Sequence, residues 1–271
     1  MWKTLRSTYI WLGIASITTA MYVVGAPVFL VTAPFDKLRK LGHWYASQWG
    51  RVMFVLNSRW SCEVIGQEKV PQGRPLVVIA NHQGIADIMV VYHLDLQFKW
   101  ISKRSNFFVP FMGWFMFHAG YIPLSRGRKD SIVRCMERAR WYLNQNVAVL
   151  FFPEGTRSHD GAVLSFKPGA FKLAVDGQFD ILPLGIGGTA NAIPKHSLQF
   201  SDERAPMKIV VGDVISTRGM SDDDLDALME LTRQRIIELK AEADSRIARD
   251  LATTAHSSPL ASTAPAMRSA S

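Results

Sequence analysis

The residues best suited to chemistry are a histidine and a carboxylate five positions apart, His82 and Asp87. They follow an apolar, β-branched run at residues 76–80 that is typical of a buried strand, and the apolar residues after Gly84 favour a helix. On a regular helix, positions i and i+5 point about 140° apart. The two side chains therefore meet only if His82 lies in the turn at residues 81–84 and folds back over the first helical turn.

A carboxylate that holds one ring nitrogen of a neutral imidazole leaves the other nitrogen able to accept a proton. The pair is then the general-base half of a Ser/His/Asp arrangement without its serine, and the nucleophile would be a hydroxyl of the substrate. The simpler interpretation is a turn histidine beside a first-turn carboxylate that the helix dipole favours. The rest of the chain has to distinguish the two.

A second polar loop follows another buried strand, which we predict over residues 147–152. It carries Glu154, Gly155, Thr156 and Arg157. An arginine matches phosphate oxygens with two parallel hydrogen bonds, and backbone N–H groups add donors, so this loop suits a phosphate monoester. Glu154 and Arg157 can also form an internal salt bridge that holds the loop, and the two roles can coexist.

Two further segments lie between these motifs. Arg126 ends a short strand predicted over residues 120–126, and strand ends are common places for ligand contacts. Residues 107–117 are apolar all round. That segment suits either plain core or the wall of a slot for an aliphatic chain, and the sequence favours neither.

Composition limits the class of protein. The chain has 271 residues, of which 48% are hydrophobic and 20% charged, so it is globular and long enough for one large domain. Its two cysteines, Cys62 and Cys135, stand far apart and match no metal-ligand spacing. We therefore expect neither a disulfide framework nor a metal site, and a reducing, cytoplasmic-side environment fits best.

The net charge of +8 is concentrated in one region, because residues 99–140 carry nine Lys or Arg against two acids. Such a surface favours anionic partners, either nucleic acid or the phosphates of lipid headgroups. No zinc-finger spacing, basic-region heptad or RNA-binding aromatic motif accompanies it. We therefore expect a lipid surface as partner and no nucleic acid.

The N-terminal segment is apolar. Residues 7–35 contain no charged side chain and are long enough to cross a bilayer. We expect Gly25 and Pro27 to break this run, so a monotopic helical hairpin competes with a single spanning helix. A buried soluble helix and a secretory signal fit the length less well. Basic residues flank both ends, and the charge bias leaves the orientation open.

The overall pattern predicts an α/β fold with a central mixed sheet flanked by helices, behind a membrane-associated helical segment. We predict strands over residues 61–65, 76–80, 99–103, 120–126, 147–152, 181–186 and 207–211, and helices over 85–94 and 130–143, from about 166, and after an N-cap at Ser221. We expect residues 1–50 to form the anchor and residues 51–250 the α/β domain. The Ala/Ser/Thr/Pro-rich residues 251–271 predict a disordered tail.

Four blocks, in order, resemble the glycerolipid acyltransferase family, and within it the 1-acyl-sn-glycerol-3-phosphate acyltransferases. The blocks are residues 81–87, 120–126, 152–158 and 182–184, and Lys103, Pro110 and Gly113 also fall where the family often has these residue types. The resemblance covers about residues 64–211. Departures are modest: Ser125 stands where an acid often precedes the arginine, and Pro123 where an aromatic or apolar residue is common.

The resemblance implies that His82 deprotonates the sn-2 hydroxyl of a lysophospholipid, with Asp87 orienting the imidazole. The hydroxyl then attacks an acyl thioester, and the product is phosphatidic acid. The implied substrate-binding residues are Arg126, Glu154, Gly155, Thr156 and Arg157, which would hold the glycerol phosphate, with Lys103, Asn81 and Pro183, the last of which would shape the pocket.

The resemblance further implies that residues 51–250 are an acyltransferase domain on the cytoplasmic side of a bacterial-type inner membrane. Acyl-CoA or acyl-acyl carrier protein would be the co-substrate, and neither a metal nor a bound cofactor is expected. One alternative is another lyso-lipid acceptor, such as a lyso-ornithine lipid, whose carboxylate would face Arg126 and Arg157. Another is a membrane-binding module without activity, which would have no use for a general base. The oligomeric state stays open.

Overall fold

The computed structural model describes residues 2–158, 161–193 and 199–257. The helices are α1 (Trp2–Thr32), α2 (Lys40–Leu56), α3 (Ala86–Val91), α4 (Met112–His118), α5 (Lys129–Leu143), α6 (Gly169–Gly177), α7 (Thr189–Ala192) and α8 (Leu225–Ser257). The strands are β1 (Trp60–Ile65), β2 (Val77–Ala80), β3 (Phe98–Lys103), β4 (Ile122–Leu124), β5 (Ala148–Phe151), β6 (Ile181–Gly187) and β7 (Ala205–Val211). Short 3₁₀ turns cover Gln67–Lys69, Arg104–Phe108 and Asp222–Asp224.

The seven strands form one sheet in the order β1-β7-β6-β2-β5-β3-β4. The five strands from β6 to β4 run parallel, while β7 is antiparallel to β6 and parallel to β1. The predicted central mixed sheet is therefore confirmed. Because the carboxyl ends of parallel strands meet at one edge, the residues that follow β2, β5, β3 and β4 lie along the same edge of the sheet.

The sheet separates two hydrophobic cores. In β2, Val78 and Ala80 belong to the core that contains α1, α2, α3 and α4, whereas Val77 and Ile79 belong to the core under α5, α6 and α8. All four residues are fully buried. This alternation is expected of a strand whose successive side chains point to opposite faces.

The N-terminal segment differs from the prediction in one respect. Gly25 and Pro27 do not break it, since α1 is one helix of 31 residues, about 46 Å long. A Cβ on Gly25 would lie 2.7 Å from Cε1 of Tyr45, so this glycine allows α2 to approach α1 closely. The hairpin is formed instead by α1 and α2, which residues 33–39 connect.

Helix α1 is docked on the domain along its length. Its buried side is spaced for one helical face and consists of Ser7, Ile10, Ile14, Thr18, Gly25 and Phe29. The indole of Trp49 in α2 donates to Oγ1 of Thr18 over 2.9 Å. Near the amino end, Arg6 forms an ion pair with Asp202 at 2.8 Å.

Two predicted domain boundaries fall inside helices. Residue 50, the expected end of the anchor, lies within α2, whose Trp49 and Met53 are buried in the same core as the strands. Helix α8 continues to Ser257, past Leu251, where we expected the tail to begin. Residues 258–271 of the predicted tail lie outside the described residues.

Residues 107–117 contribute to two environments. Phe115 and Met116 are buried in the core. Phe107, Trp114 and Phe117 line an apolar pocket of about 500 Å³, together with Tyr22, Gly113 and His118. The segment therefore provides core on one side and an open pocket beside α1 on the other.

Helix α8 packs directly on the backbone of β6. A Cβ on Gly185 would lie 2.4 Å from both the carbonyl carbon of Leu239 and the backbone nitrogen of Lys240. Backbone atoms of a helix cannot move aside as a flexible side chain can. Gly185 is therefore required for the contact between α8 and β6.

We expect Gly185→Ala to lower the free energy of unfolding by about 1–3 kcal/mol, because an extra methyl group overpacks this contact. Thermal unfolding in detergent measures the change. Gly169→Ala is the matched control, since the nearest atom to its Cβ would be Sδ of Met136 at 3.9 Å. Equal melting temperatures for the two variants would contradict the prediction.

Candidate active site

The turn after β2 wraps around the carboxylate of Asp87. Nδ1 of His82 lies 2.7 Å from Oδ2 of Asp87, and the same oxygen accepts the backbone N–H groups of Gln83 at 2.7 Å and Gly84 at 3.0 Å. Asp87 is in the first turn of α3 and is fully buried. His82 thus folds back over the helix start, as the five-residue spacing requires.

The hydrogen bonds fix the orientation of the His82 ring. A carboxylate only accepts, so Nδ1 carries the proton and Nε2 has a free lone pair. The ring stacks on Phe152 with 4.4 Å between centroids, and 18% of the His82 side chain is exposed. No group in the described part of the chain hydrogen-bonds Nε2. That atom is therefore available to accept a proton from a bound molecule.

Glu154 holds the second loop against the first. Its Oε1 accepts the backbone N–H of His82 at 2.8 Å, and its Oε2 accepts that of Leu164 at 3.1 Å. The backbone N–H of Ser158 in turn donates to the carbonyl of His82 over 2.9 Å. Burial raises the pKa of the Glu154 carboxyl. We expected Glu154 among the phosphate ligands; in the structure its two oxygens accept backbone N–H groups, one of them that of His82.

Asn81 and Pro183 lie beneath the surface of the site. Both polar atoms of the Asn81 side chain bond to Ile186 of β6: Nδ2 donates to its carbonyl at 2.9 Å, and Oδ1 accepts its N–H at 2.7 Å. Pro183 is buried in β6 opposite Ile79. Asn81, which we expected to contact the substrate, links the turn to β6 through these two bonds.

The cationic residues lie at increasing distances along the edge. Adjacent strands are about 4.8 Å apart. The loop after β5 bears Thr156 and Arg157 and is one spacing from β2, Lys103 ends β3 two spacings away, and Arg126 follows β4 three spacings away. Lys103, Arg126 and Thr156 are exposed. These residues thus share the carboxyl edge with His82, and Arg126 is the most distant of them, about 14 Å from β2.

The sequence prediction missed Lys167. Gly155 has a left-handed φ of +68°, and a Cβ on it would lie 2.8 Å from Nζ of Lys167. The backbone N–H of Lys167 donates to the carbonyl of Pro153 over 3.0 Å. This ammonium group therefore lies over the loop that carries Arg157. Pro168 indicates a helix start, and nothing in the sequence pattern indicates that Lys167 approaches Gly155.

Part of this chain is similar to known proteins. Residues 61–187 match the family model described as Acyltransferase. A 1-acyl-sn-glycerol-3-phosphate acyltransferase of Chlamydomonas reinhardtii is 35% identical over 190 residues, which are 64% of this chain and 54% of that protein. A chloroplastic 1-acyl-sn-glycerol-3-phosphate acyltransferase of Arabidopsis thaliana is 34% identical over 184 residues, 68% of this chain and 51% of that protein. The chain thus spans about half the length of these relatives.

A solved structure matches more of the chain. The 1-acyl-sn-glycerophosphate (LPA) acyltransferase PlsC from Thermotoga maritima has a TM-score of 0.70 and 26% identity, over 88% of this chain and 98% of that one. The α/β fold that carries the His82–Asp87 pair is thus shared with an acyltransferase of solved structure. Residues 61–187 form an acyltransferase-family domain, which confirms the resemblance seen in the sequence.

We expect Glu154→Gln to loosen the turn at His82, because an NH₂ group then faces a backbone donor in place of one oxygen. A buried hydrogen bond lost in this way costs about 1–3 kcal/mol. Amide hydrogen exchange at His82 and Ser158 should accelerate, and thermal stability should fall. The control is Glu137→Gln on the exposed side of α5. Unchanged exchange at both amides would show that Glu154 does not hold the turn.

Proposed function

We propose that this protein transfers a fatty acyl group from an acyl thioester to the sn-2 hydroxyl of 1-acyl-sn-glycerol-3-phosphate, forming phosphatidic acid. The observation that carries the proposal is the His82–Asp87 pair, whose outward Nε2 lies at the same edge as the basic loop after β5. The names of the relatives at 34% and 35% identity and of the PlsC structure support the choice of acceptor.

In this reaction Nε2 of His82 takes the proton of the acceptor hydroxyl as its oxygen attacks the thioester carbonyl. A C–O bond forms, and collapse of the tetrahedral intermediate breaks the C–S bond. The leaving thiolate then receives the proton from His82. Asp87, buried beside Nδ1, stabilises the positive charge on the ring between these two proton transfers.

The acceptor phosphate fits the loop after β5 best. In the proposed acceptor the phosphate is only a few bonds from the reacting hydroxyl, so it must lie within one strand spacing of His82. Arg157, the backbone N–H of Thr156 and Lys167 meet that requirement, with Lys103 and Arg126 farther along the edge. The N–H of Gly155 already donates to the carbonyl of Phe152 at 3.1 Å, so Gly155 contributes by letting Lys167 approach the loop. A guanidinium and an ammonium over backbone N–H groups form a phosphate site.

A lyso-lipid with a carboxylate headgroup, such as a lyso-ornithine lipid, is the second acceptor to test. The same cations would face a carboxylate, but a monoester phosphate carries more charge and more acceptor oxygens. A panel of lyso-acceptors that differ only in headgroup separates the two. Faster transfer to the carboxylate lipid would identify that lipid as the acceptor in place of 1-acyl-sn-glycerol-3-phosphate.

We further propose that the protein binds one leaflet of a bacterial-type inner membrane through the face formed by α1, α2 and α4. Within the described residues, α1 is long and apolar enough to cross a membrane, by length and composition alone. Its contacts with the domain extend from Ser7 to Phe29, about 33 Å of helix. A helix that is packed on protein over this length cannot also be surrounded by lipid, so a monotopic hairpin fits better than a span.

The exposed apolar side chains of this face support the proposal. They are Trp2, Leu5, Tyr9, Leu12, Val23, Val24, Val28, Leu30 and Val31 on α1, Phe35 in the connection, Trp44 and Val55 on α2, and Phe108, Val109, Trp114 and Phe117 around α4. An apolar surface of this extent marks an interaction site. In this proposal the active site lies on the cytoplasmic side of the membrane.

The central test of the proposed reaction is His82→Ala, which should lower kcat by at least about 10²–10⁴, the usual contribution of a general base. Membrane binding should change little, whereas the melting temperature should fall modestly, because the buried carboxylate of Asp87 loses one of its three donors. Turnover is measured as phosphatidic acid formed from labelled lyso-acceptor. His93→Ala, on a histidine in the segment after α3, serves as the control. Near-normal turnover in purified His82→Ala would remove the proposed mechanism.

The membrane proposal is tested with charge introduced on the apolar face. We expect Leu12→Glu/Val24→Glu to reduce binding to phosphatidylglycerol vesicles more than tenfold, since burying each side chain contributes about 1.5–3 kcal/mol. The control is Val133→Glu/Leu231→Glu, on exposed apolar residues of α5 and α8. Wild-type protein should resist extraction by high salt, which does not screen apolar burial. Release of wild type by salt alone, or equal losses in both variants, would count against a hydrophobic anchor.

A further inference from the structure

A second pocket lies at the far end of the sheet, between the edge strand β4 and helix α5. Its volume is about 230 Å³, room for about eight water molecules at about 30 Å³ each. It is lined by Arg104, Ile122, Pro123, Ser131, Arg134, Cys135 and Arg138. We call it the arginine pocket, because its three charged side chains are all guanidinium groups.

The three arginines are available to an anion to different degrees. Arg104 is exposed, and its side chain makes no hydrogen bond or ion pair with another described residue. Arg134 donates to Asp130 at 2.7 Å and keeps its remaining N–H groups. Arg138 lies over the rings of Trp141 and Tyr142, which fixes its guanidinium plane. Three guanidinium groups around one cavity match the oxygens of a phosphate.

The pocket lies on the water-facing side of the sheet. Ile122 and Cys135 belong to the core under α5, α6 and α8, opposite the core that contains α1, α2 and α4. The apolar face proposed to contact the membrane is therefore on the other side. An anion in the arginine pocket comes from a water-soluble molecule more readily than from a lipid headgroup.

The distance between His82 and the arginine pocket indicates which soluble molecule carries the anion. Strand β4 is three spacings from β2, about 14 Å. The phosphopantetheine arm of an acyl thioester has thirteen bonds between sulfur and phosphorus. The backbone of about four residues has as many bonds, and it spans roughly 15 Å when extended. With the thioester at Nε2 of His82, an arm that extends along the carboxyl edge brings its phosphate to β4.

We propose that the arginine pocket binds the phosphate end of the phosphopantetheine arm of the acyl donor. The inference rests on the proposed acyl transfer and adds a donor site to it. Both acyl-CoA and acyl-acyl carrier protein carry this arm, so the shared group is the phosphate at its end. The acceptor phosphate lies elsewhere, on the loop after β5, and the two substrates thus approach His82 from different parts of the edge.

The test compares Arg104→Gln and Arg134→Gln with wild type as full-length protein in mixed micelles at saturating acceptor. Three donors carry the same acyl chain: acyl-CoA, acyl-acyl carrier protein and acyl-pantetheine, which lacks the phosphate. For donors with a phosphate, we expect KM to rise about tenfold in each variant, the loss of one charge-assisted hydrogen bond. For acyl-pantetheine, the variants should match wild type. The charge-matched control is Arg235→Gln on α8, whose side chain pairs with Glu238.

Each result decides one question. A rise in KM with only one of the two phosphate donors identifies that donor as the source of the phosphate, and a rise with both assigns the pocket to the shared arm. Unchanged KM with both donors overturns the donor site, as does an equal rise with acyl-pantetheine. In a second series, acceptor is varied at saturating acyl-CoA. A rise in acceptor KM there assigns the arginines to the acceptor phosphate and also overturns the proposal.

Failure of the proposed reaction gives a different pattern. If wild type transfers no acyl group to any lyso-acceptor from any donor, the proposed function fails, and binding of coenzyme A by equilibrium titration then tests the pocket alone. Weaker binding by about tenfold in Arg104→Gln than in Arg235→Gln supports the pocket. Equal binding by both variants, or no binding by wild type, overturns it.

Discussion

The buried carboxylate of Asp87 is the interaction on which the site depends. A charge removed from water is tolerated only when donors surround it, and Oδ2 of Asp87 accepts three: Nδ1 of His82 and the backbone N–H groups of Gln83 and Gly84. These donors come from consecutive residues, so satisfying the carboxylate dictates the path of the turn. The other oxygen, Oδ1, is buried without a hydrogen bond among the described residues.

The parallel strands place everything else relative to this turn. Because β2, β5, β3 and β4 are neighbours with one direction, the loops that follow them line one edge, and residues distant in sequence become neighbours at fixed spacings. Asn81 and Glu154 strengthen the arrangement from both sides, as one bonds to β6 and the other to the backbone of His82. The turn is therefore held by both strands that flank β2.

The sequence was sufficient for the pairing of His82 with Asp87 once the other blocks of the resemblance were found, because a contact between residues five apart at a helix start requires the histidine to lie in the turn. The strands and most helices were also predictable, since their apolar runs are long and bounded by turn residues. The direction in which a single polar side chain points was not predictable from the sequence. Asn81 and Glu154 looked like ligands because polar residues beside a catalytic histidine usually face the substrate, and only the tertiary structure shows that they bond to the backbone. The predicted helix break at Gly25 was wrong for a similar reason. A glycine in a helix can either break the helix or allow another element to approach closely, and the neighbour here, Tyr45, is 20 residues away in sequence.

The docked hairpin also determines where the site lies relative to a membrane. Near the amino end of α1, Ser7 accepts the N–H of Phe200 at 2.9 Å, just before β7 begins. Since β7 runs antiparallel to β6, its amino end is at the carboxyl edge of the sheet, the edge that carries His82. At the opposite edge, the buried Lys99 donates to the carbonyls of Arg39 and Ala119 and ties the connection between α1 and α2 to the sheet. With α1 fixed at both edges, the proposed membrane face beside its amino end lies at the same edge of the sheet as His82. In the proposed reaction, a lipid acceptor in that leaflet would reach His82 without leaving the membrane surface, while a water-soluble donor would approach from the far side of the sheet.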